Sequence, residues 1–323
     1  MELIYTDKNM KDIGSINKFN MDFDTTNTMD YTLAVDSGNQ SILDDGFVYI
    51  PGTEYGGIID KKTPSTITGN TVYYGRNYRG ILNSKIVYPA TGQDYKYLNG
   101  DIYEILTNLI SEFNLSSYFI LNKESISGYK VSNYKVDRYC SLYSLMVSLA
   151  KKFNKNLWLN YDISYKKILI TFRSSIDYSK KELYCDAKLD MEVTKSSRLT
   201  THLLCLGSGQ LKERIVADIW LNEDKKTFNT DHQVFFGLDD YTQIYENVNS
   251  NSKEDLLSAG ISKFEELINV DTISVTLDSE DNLKIGDIIG GYEPITKTSA
   301  TSTISNIIVN IEDGISSISY ETN

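Results

Sequence analysis

The chain has 323 residues and a mass of 36.6 kDa, which is enough for two or three domains of ordinary size. Hydrophobic residues make up 41% and charged residues 24%, a balance that excludes a disordered or low-complexity chain. The net charge of −12 argues against nucleic-acid binding, and no run approaches the ~20 apolar residues that a transmembrane helix needs. We therefore expect a folded, water-soluble protein with no membrane anchor, no secretory signal and no specific nucleic-acid binding.

Cysteine and tyrosine usage adds two further expectations. The three cysteines, Cys140, Cys185 and Cys205, are an odd and scattered set, which argues against a disulfide framework and for folding in a reducing cytoplasm. The 24 tyrosines favour half-buried strands and large protein contacts. The composition therefore suits a component of a protein assembly.

Short strand-like runs separated by turn residues dominate the first 90 residues. The runs lie at 31–35, 46–50, 57–59 and 71–74, with Gly, Pro, Asp and Asn between them. This pattern predicts a small antiparallel barrel or sandwich in which helix is hardly represented.

The pattern changes to helical spacing after Gly100. Apolar residues recur on one helix face from Ile102 to Phe113, and Asp101 and Glu104 favour the start of that helix. A second helix is predicted at about 141–154, followed by a hairpin of strands at 156–161 and 167–172. These elements predict a compact α/β unit.

From about residue 186 the strand pattern returns. Candidate strands lie near 188–194, 202–206 and 213–221, and the polar stretch 222–251 is predicted to be a long loop with short extended pieces. A helix opens at Ser252, with Leu257, Ile261, Phe264 and Ile268 facing one way. Four final strands are predicted near 272–277, 285–289, 301–309 and 316–320, with a turn at Asp313-Gly314.

The order of elements predicts an α+β fold that is mostly β. We expect a β domain at 1–90, an inserted α/β domain at 91–185, and a second β domain at 186–323 with a flanking helix at 252–268. The chain is therefore expected to contain two β domains, one on each side of the α/β insert.

The sequence offers few residues for metal or nucleophilic chemistry. His202 and His232 are the only histidines, and the His202-x-x-Cys205 spacing lacks the second close pair that a four-ligand zinc site needs. Cys205 is therefore expected to be a small buried hydrophobic residue on a strand. We predict no metal site, no cofactor and no catalytic residue.

Other motifs are weaker still. The carboxylate pairs Asp44-Asp45, Asp239-Asp240 and Glu265-Glu266 could in principle supply the acid and base of a glycosidase, but adjacent acids on loops and helices are usually solvated. The Gly207-Ser-Gly209 segment lacks the downstream lysine and helix of a phosphate loop. The doublets Lys151-Lys152 and Lys166-Lys167 are expected to lie on solvated faces.

Two segments carry a more specific signal. Residues 55–59 (YGGII), 70–82 (NTVYYGRNYRGIL) and 86–89 (IVYP) resemble the N-terminal part of tail hub proteins from phages and phage-derived particles of low-GC Gram-positive bacteria. Residues 281–289 (DNLKIGDII), 303–309 (TISNIIV) and 312–314 (EDG) resemble the closing barrel of the same family and of late control protein D. By local pattern, the first segment predicts a strand, a glycine turn and another strand that stops at Pro89, and the second a turn at Gly286-Asp287 before two strands.

The resemblance implies a mechanical role. Such hubs are homotrimers in which two similar tube-like β-barrels per chain form a ring of six, between a six-fold tail tube and a three-fold spike or tip. The structural positions implied by the family motifs are Gly57, Gly75, Arg76, Gly80, Pro89, Gly286, Asp287 and Gly314. The implied partners are further copies of the chain, a tail tube or distal tail protein, a spike or tail-tip protein, and sheath or baseplate proteins.

A hub would be made in the host bacterial cytoplasm and assembled into a virion tail or a phage-tail-like particle. Strand edges could then continue between subunits, and Val309 is expected to lie on such an edge strand. Two alternatives are a tail-tip peptidoglycan hydrolase or endopeptidase that uses acidic residues, and a carbohydrate-binding adhesive β-protein.

Overall fold

The structure is a computed structural model of the whole chain. It describes residues 1–38, 42, 44–179, 183–184, 190–194, 199–268, 272–278, 283–293, 297–312 and 315–322. Strand accounts for 41% and helix for 19% of it, which confirms an α+β fold that is mostly β. Cys185 and the predicted turn at Asp313-Gly314 lie outside the described residues.

The described residues among the first 90 form eight strands and one short α-helix. These are β1 (Leu3–Thr6), β2 (Asp12–Ile16), β3 (Asn20–Asp24), β4 (Asp30–Asp36), β5 (Phe47–Tyr49), β6 (Gly56–Ile58), β7 (Lys61–Pro64), β8 (Asn70–Arg76) and α1 (Tyr78–Asn83). All four predicted strands are present.

The helix α1 corrects the prediction of a second strand between residues 76 and 89. Asn77 caps it, since the Asn77 Oδ1 accepts a hydrogen bond from the Gly80 N–H at 2.9 Å. Tyr78, Ile81 and Leu82 are buried at helical spacing. Gly75 and Arg76 end β8 and Asn77 caps the helix, so the strand predicted after a glycine turn is a helix at this position.

The inserted unit follows the predicted order closely. Its elements are β9 (Tyr97–Asp101), α2 (Ile102–Glu112), β10 (Phe119–Leu121), α3 (Lys123–Ile126), β11 (Lys130–Lys135), α4 (Leu142–Lys152), β12 (Asn156–Asp162) and β13 (Lys167–Arg173). Asp101 caps α2 by accepting a hydrogen bond from the Tyr103 N–H at 2.9 Å. The hairpin is confirmed, and β10 adds to it in parallel beside β13.

After β13, the described residues form ten strands and one long α-helix. These are β14 (Leu183–Tyr184), β15 (Asp190–Thr194), β16 (His202–Leu206), β17 (Val216–Leu221), β18 (Phe228–Asn229), β19 (Thr242–Glu246), α5 (Lys253–Ile268), β20 (Thr272–Asp278), β21 (Ile288–Glu293), β22 (Thr298–Glu312) and β23 (Ile315–Thr322). No helix in the described ranges is both long and apolar enough to cross a bilayer.

One large sheet unites the two ends of the chain. Its strand order is β15-β20-β23-β22-β3-β4-β8-β7, with β21 and β14 attached beside β22. The central pairing is antiparallel between β22 and β3, with Val309 opposite Phe23. On its other side Val309 lies opposite Ile318 of β23, and its side chain is fully buried. The expectation that Val309 lies on an edge strand is therefore wrong.

A separate, smaller unit is built from residues 199–268. Its four-stranded sheet has the order β18-β17-β16-β19, and α5 covers one face. The short extended pieces predicted within the polar stretch 222–251 are β18, which pairs with β17, and β19, which pairs in parallel with β16.

The helix α5 packs on this sheet, and the four residues predicted to face one way, Leu257, Ile261, Phe264 and Ile268, all belong to the shared core. Its buried residues are Leu256, Gly260 and Phe264, while Leu257 and Ile261 lie half-buried beside them. A Cβ on Gly260 would lie 2.6 Å from the Cys205 Sγ, so the glycine lets the helix approach the sheet.

Candidate functional site

The first group of motif positions lies where the chain leaves the first β region for the insert. Gly57 of β6 forms an isolated antiparallel bridge with Asn77, which precedes α1. A side chain on Gly57 would collide with the Arg76 carbonyl, and one on Gly75 would collide with the Ile58 carbonyl. The backbones of β6, β8 and the α1 cap are therefore in direct contact, which explains why glycine stands at both positions.

Arg76 fixes this corner through a bidentate ion pair. Its Nε and Nη2 donate to the two carboxylate oxygens of Asp60 at 2.8 and 2.6 Å, and its backbone N–H donates to the same carboxylate at 3.0 Å. Burial acts to raise the pKa of Asp60, but the hydrogen bonds and charge of Arg76 outweigh it and hold the pKa below its ordinary value.

A second, fully buried pair lies one turn further along the chain. The Arg79 Nη2 donates to the Glu54 Oε2 at 2.7 Å, and both side chains are only 4% exposed. Burial acts to lower the pKa of Arg79, and the Glu54 charge more than compensates, so the pKa is raised. Arg79 also lines a cavity of about 250 Å³, together with Tyr143 and Lys151 of α4 and Ile304 of β22. The cavity marks the place where the insert meets the large sheet.

The second group of motif positions lies where the chain returns from the insert. Gly286 adopts φ +88°, and the turn places Asp287 in the interior with no exposed surface. The Asp287 Oδ1 accepts hydrogen bonds from the Arg173 Nη1 and the Ile176 N–H, both at 2.9 Å, and its Oδ2 accepts one from the Lys284 N–H at 2.9 Å. Asp287 thus ties the end of β13 to the start of β21, and the predicted turn is confirmed.

Pro89 does not end a strand, which corrects the prediction for this segment. Residues 85–88 run beside 139–142, with an isolated bridge between Ile86 and Ser141 and a hydrogen bond from the Val87 N–H to the Cys140 carbonyl at 2.9 Å. The segment is the link between α1 and the insert, and it places Tyr88 next to Tyr139. Gly314, the last motif position, lies outside the described residues.

The motif positions therefore gather at the two points where the insert joins the large sheet. Gly57, Gly75, Arg76 and Gly80 lie at the first point, and Gly286 and Asp287 at the second. The charged partners Glu54, Asp60 and Arg173 were not identified from the sequence. Such an arrangement can hold two units in a fixed orientation.

The histidine and cysteine that the sequence offered for chemistry lie in the small unit. The His202 Nε2 is 2.8 Å from the Asp218 Oδ1, and its ring stacks on Trp220 with centroids 5.2 Å apart. Cys205 is buried on β16, as expected, and burial raises the pKa of its thiol to about 11. Within the described ranges, no three His, Cys, Asp or Glu side chains are placed to share a metal ion.

The carboxylate pairs lie in three different segments of the chain. Asp44 and Asp45 are exposed before β5, Glu265 and Glu266 are exposed on α5, and Asp239-Asp240 ends an exposed loop. Lys62 pairs with Asp44 at 2.8 Å, and Lys263 pairs with Glu266 at 2.7 Å. Five of these six carboxylates are exposed, in agreement with the expectation that such acids are solvated, and Asp240 is half-buried.

Solved structures of the same fold come from tail proteins. The 43 kDa tail protein of prophage MuSo2 from Shewanella oneidensis superimposes with a TM-score of 0.62 at 14% identity, covering 100% of this chain and 98% of that one. A tail protein from Neisseria meningitidis gives 0.56 at 11% identity, covering 99% and 96%. A prophage tail protein from Listeria monocytogenes gives 0.51 at 11% identity, covering 100% and 95%.

No protein-family model matches the chain, and no curated protein sequence matches it. The similarity is therefore one of fold. The matched structures are described as tail proteins. From its first β region to its closing strands, the chain has the fold of phage tail proteins, and the expected resemblance is confirmed at that level.

Proposed function

We propose that the chain is a structural component of a phage tail or phage-tail-like particle, and that it forms the baseplate hub as a homotrimer. The observation that carries this proposal is the match to a prophage tail protein over both full lengths, at a TM-score of 0.62. The trimer is inferred from the family resemblance and from the difference in symmetry between a six-fold tail tube and a three-fold spike.

In the proposed hub, residues 1–90 and 186–323 supply two tube-like barrels per chain, and residues 91–185 form an outward domain. Three chains then present six barrels to a six-fold tail tube and three-fold symmetry to a spike or tip. The pairing of β3 with β22 joins the two ends of the chain in one sheet, so the two proposed barrels would share a continuous wall. The buried pairs at both attachment points would keep the insert in a fixed position on that wall.

The charge distribution also suits a conduit. Residues 269–323 contain two lysines and no arginine against nine acidic residues. A negatively charged wall repels phosphates, so DNA would slide past without binding. In a phage-tail-like particle without a head, no DNA passes through the tail, so the negative charge would not serve this purpose.

The proposal is tested by locating the chain in phage-like particles from the source strain. Cryo-electron microscopy of particles that carry a tag on this chain should show it at the junction of tube and tip, as a three-fold ring of six barrels. Absence from the particles, or isolated copies at their periphery, would overturn the proposal. Cell-wall hydrolysis and glycan binding by the purified protein would then be the next measurements.

A further inference from the structure

The small unit is joined to the rest of the chain at one end of one strand pair. The chain enters it after β15 and leaves it before β20, and the two strand ends, Thr194 and Thr272, lie opposite each other in the pairing of these strands. The described residues of its hydrophobic core all belong to residues 199–268. The insert, by contrast, shares a core with the first β region. Apolar packing therefore fixes the insert on its neighbour, whereas the small unit keeps a core of its own.

A polar cleft separates the small unit from the insert. Its volume is about 660 Å³. Tyr95, Lys135, Asp137 and Arg138 line it on the insert, and the end of β19 and one side of α5 line it on the small unit. Serine, asparagine and charged residues make up most of the lining on the small unit. A cleft of this size and polarity holds water and makes no apolar contact between the two units.

An ion pair crosses the cleft from β11 to the first turn of α5. The Lys135 Nζ lies 3.9 Å from the Asp255 Oδ1, which is beyond hydrogen-bonding distance, and the two side chains are 42% and 60% exposed. Exposed pairs of this kind contribute little to stability and are screened by salt. The same ammonium group lies 4.0 Å from the centre of the Tyr95 ring, so a second contact holds the lysine on the insert.

The charges of the two units favour contact at low ionic strength. Residues 91–179 carry 11 basic and eight acidic residues, whereas residues 199–268 carry six basic and 12 acidic residues. Attraction between exposed charges acts over about 10 Å at 0.1 M salt and over about 3 Å at 1 M. Units of one chain move relative to each other unless their interface is large and apolar. A polar cleft that an exposed ion pair crosses is therefore an interface that can open.

We propose that the small unit is an arm that closes on the insert by charge attraction and opens, about its attachment to β15 and β20, when that attraction is screened or reversed. Lys135 and Asp255 form the contact of the closed state, and Tyr95 keeps Lys135 in place in both states. Each unit moves as a rigid body, because each keeps its own packed core. The arm is a property of the free chain, so the inference goes beyond the proposed tail function and can fail without affecting it.

Spin-label distances in the purified full chain test the motion. Ser132→Cys on β11 and Asn251→Cys before α5 provide exposed label positions outside the cleft lining, in a chain whose native cysteines are replaced by alanine. Pulsed electron paramagnetic resonance should show one distance at about 0.1 M salt, and a second, longer distance that gains population toward about 1 M. Labels at Ser132→Cys and Tyr165→Cys, both on the insert, are the matched control and should give the same distance throughout.

Charge reversal tests the contact between Lys135 and Asp255. Lys135→Glu and Asp255→Lys should each lower the ratio of closed to open arms about fivefold or more at low salt, because each places like charges across the cleft. The double variant should restore the ratio, since it exchanges the two charges. Lys130→Glu is the matched control, because Lys130 is an exposed lysine of the same strand that does not line the cleft.

Small-angle X-ray scattering of the unmodified chain keeps the inference testable if a variant fails to fold. The radius of gyration should rise between about 0.1 and 1 M salt, because the open arm extends the molecule. A constant radius of gyration, or label distances that respond neither to salt nor to charge reversal, would mean that packing fixes the small unit and that there is no arm. A double variant that stays open would show that Lys135 and Asp255 do not hold the closed state, contrary to the inference.

Discussion

Buried or partly buried carboxylates hold the insert at both of its attachment points. Asp60 faces Arg76 where the chain leaves the first β region, and Asp287 faces Arg173 where it returns. The two acids differ in solvent access, since Asp287 is fully buried and the Asp60 side chain is 35% exposed. Removal of Asp287 should therefore lower the free energy of unfolding at neutral pH. Removal of Asp60 should change how the free energy of unfolding depends on pH.

Asp287→Ala should destabilise the protein by about 3 kcal/mol, because it leaves a largely buried Arg173 without its partner. It also leaves the Ile176 and Lys284 N–H groups without their acceptor. Urea denaturation at neutral pH measures the change. The control is Asp45→Ala, which removes an exposed carboxylate and should change stability little. Equal stability of the two variants would show that Asp287 does not hold the closing strands.

Asp60 should make stability depend on pH in the acid range. Its pKa is lower in the folded state than in the unfolded chain, so the unfolded state binds the proton more tightly. The stabilisation is therefore complete above the ordinary pKa of about 3.9 and is lost as the pH falls through the lower folded value. Asp60→Asn should be less stable than wild type at pH 7, and the difference should shrink below about pH 4. Denaturation series at several pH values test this, and a difference that does not vary with pH would contradict it.

At the scale of elements, Gly260 shows how one small residue sets the distance between a helix and a sheet. A Cβ at this position would lie 2.6 Å from the Cys205 Sγ and 2.7 Å from the Ile219 Cδ1. Gly260→Val should therefore cost about 1–3 kcal/mol by overpacking. Thermal or urea unfolding measures this, and Ser258→Val on the exposed side of α5 is the matched control. Adding Cys205→Ala should recover part of the loss, and no recovery would place the strain elsewhere.

The elements that could be predicted from the sequence are those whose signal is local and long. The helices α2 and α4 each repeat apolar residues over 11 residues, and both were predicted within two residues of their ends. The helix α1 has only six residues and depends on the Asn77 cap and on burial against other elements. The strand β19 alternates exposed with half-buried residues, and the sequence predicted only short extended pieces in this stretch, because the position of β19 depends on its pairing with β16.

At the scale of the whole molecule, the pairs that fix the architecture connect distant parts of the chain. Asp287 and Arg173 are 114 residues apart, and Asn306 accepts a hydrogen bond from the Thr25 hydroxyl across 281 residues. The glycines and Arg76 of the motifs were identified from the sequence, but the partners of these residues were not. Spacing along the chain carries no information about such contacts, because they depend on how the sheets close. For the same reason, the sequence did not show that Val309 lies inside the sheet and not on an edge strand.

Because Val309 lies inside the sheet and not on an edge strand, its substitution should affect folding. We call the part of the sheet where β22 pairs with both β3 and β23 the seam. Val309→Glu would place a carboxylate among Phe23 and Ile318, where burial of an unpaired charge costs several kcal/mol. The variant should therefore lose the folded sheet itself, and assembly would fail as a consequence. Circular dichroism and urea denaturation of the purified variant measure this directly. Ile315→Glu is the matched control, since Ile315 is 78% exposed at the start of β23 and should tolerate the same substitution. A Val309→Glu chain that folds normally and fails only in assembly would mean that the seam is an exposed edge in the free protein, and that the two terminal β regions join only between copies.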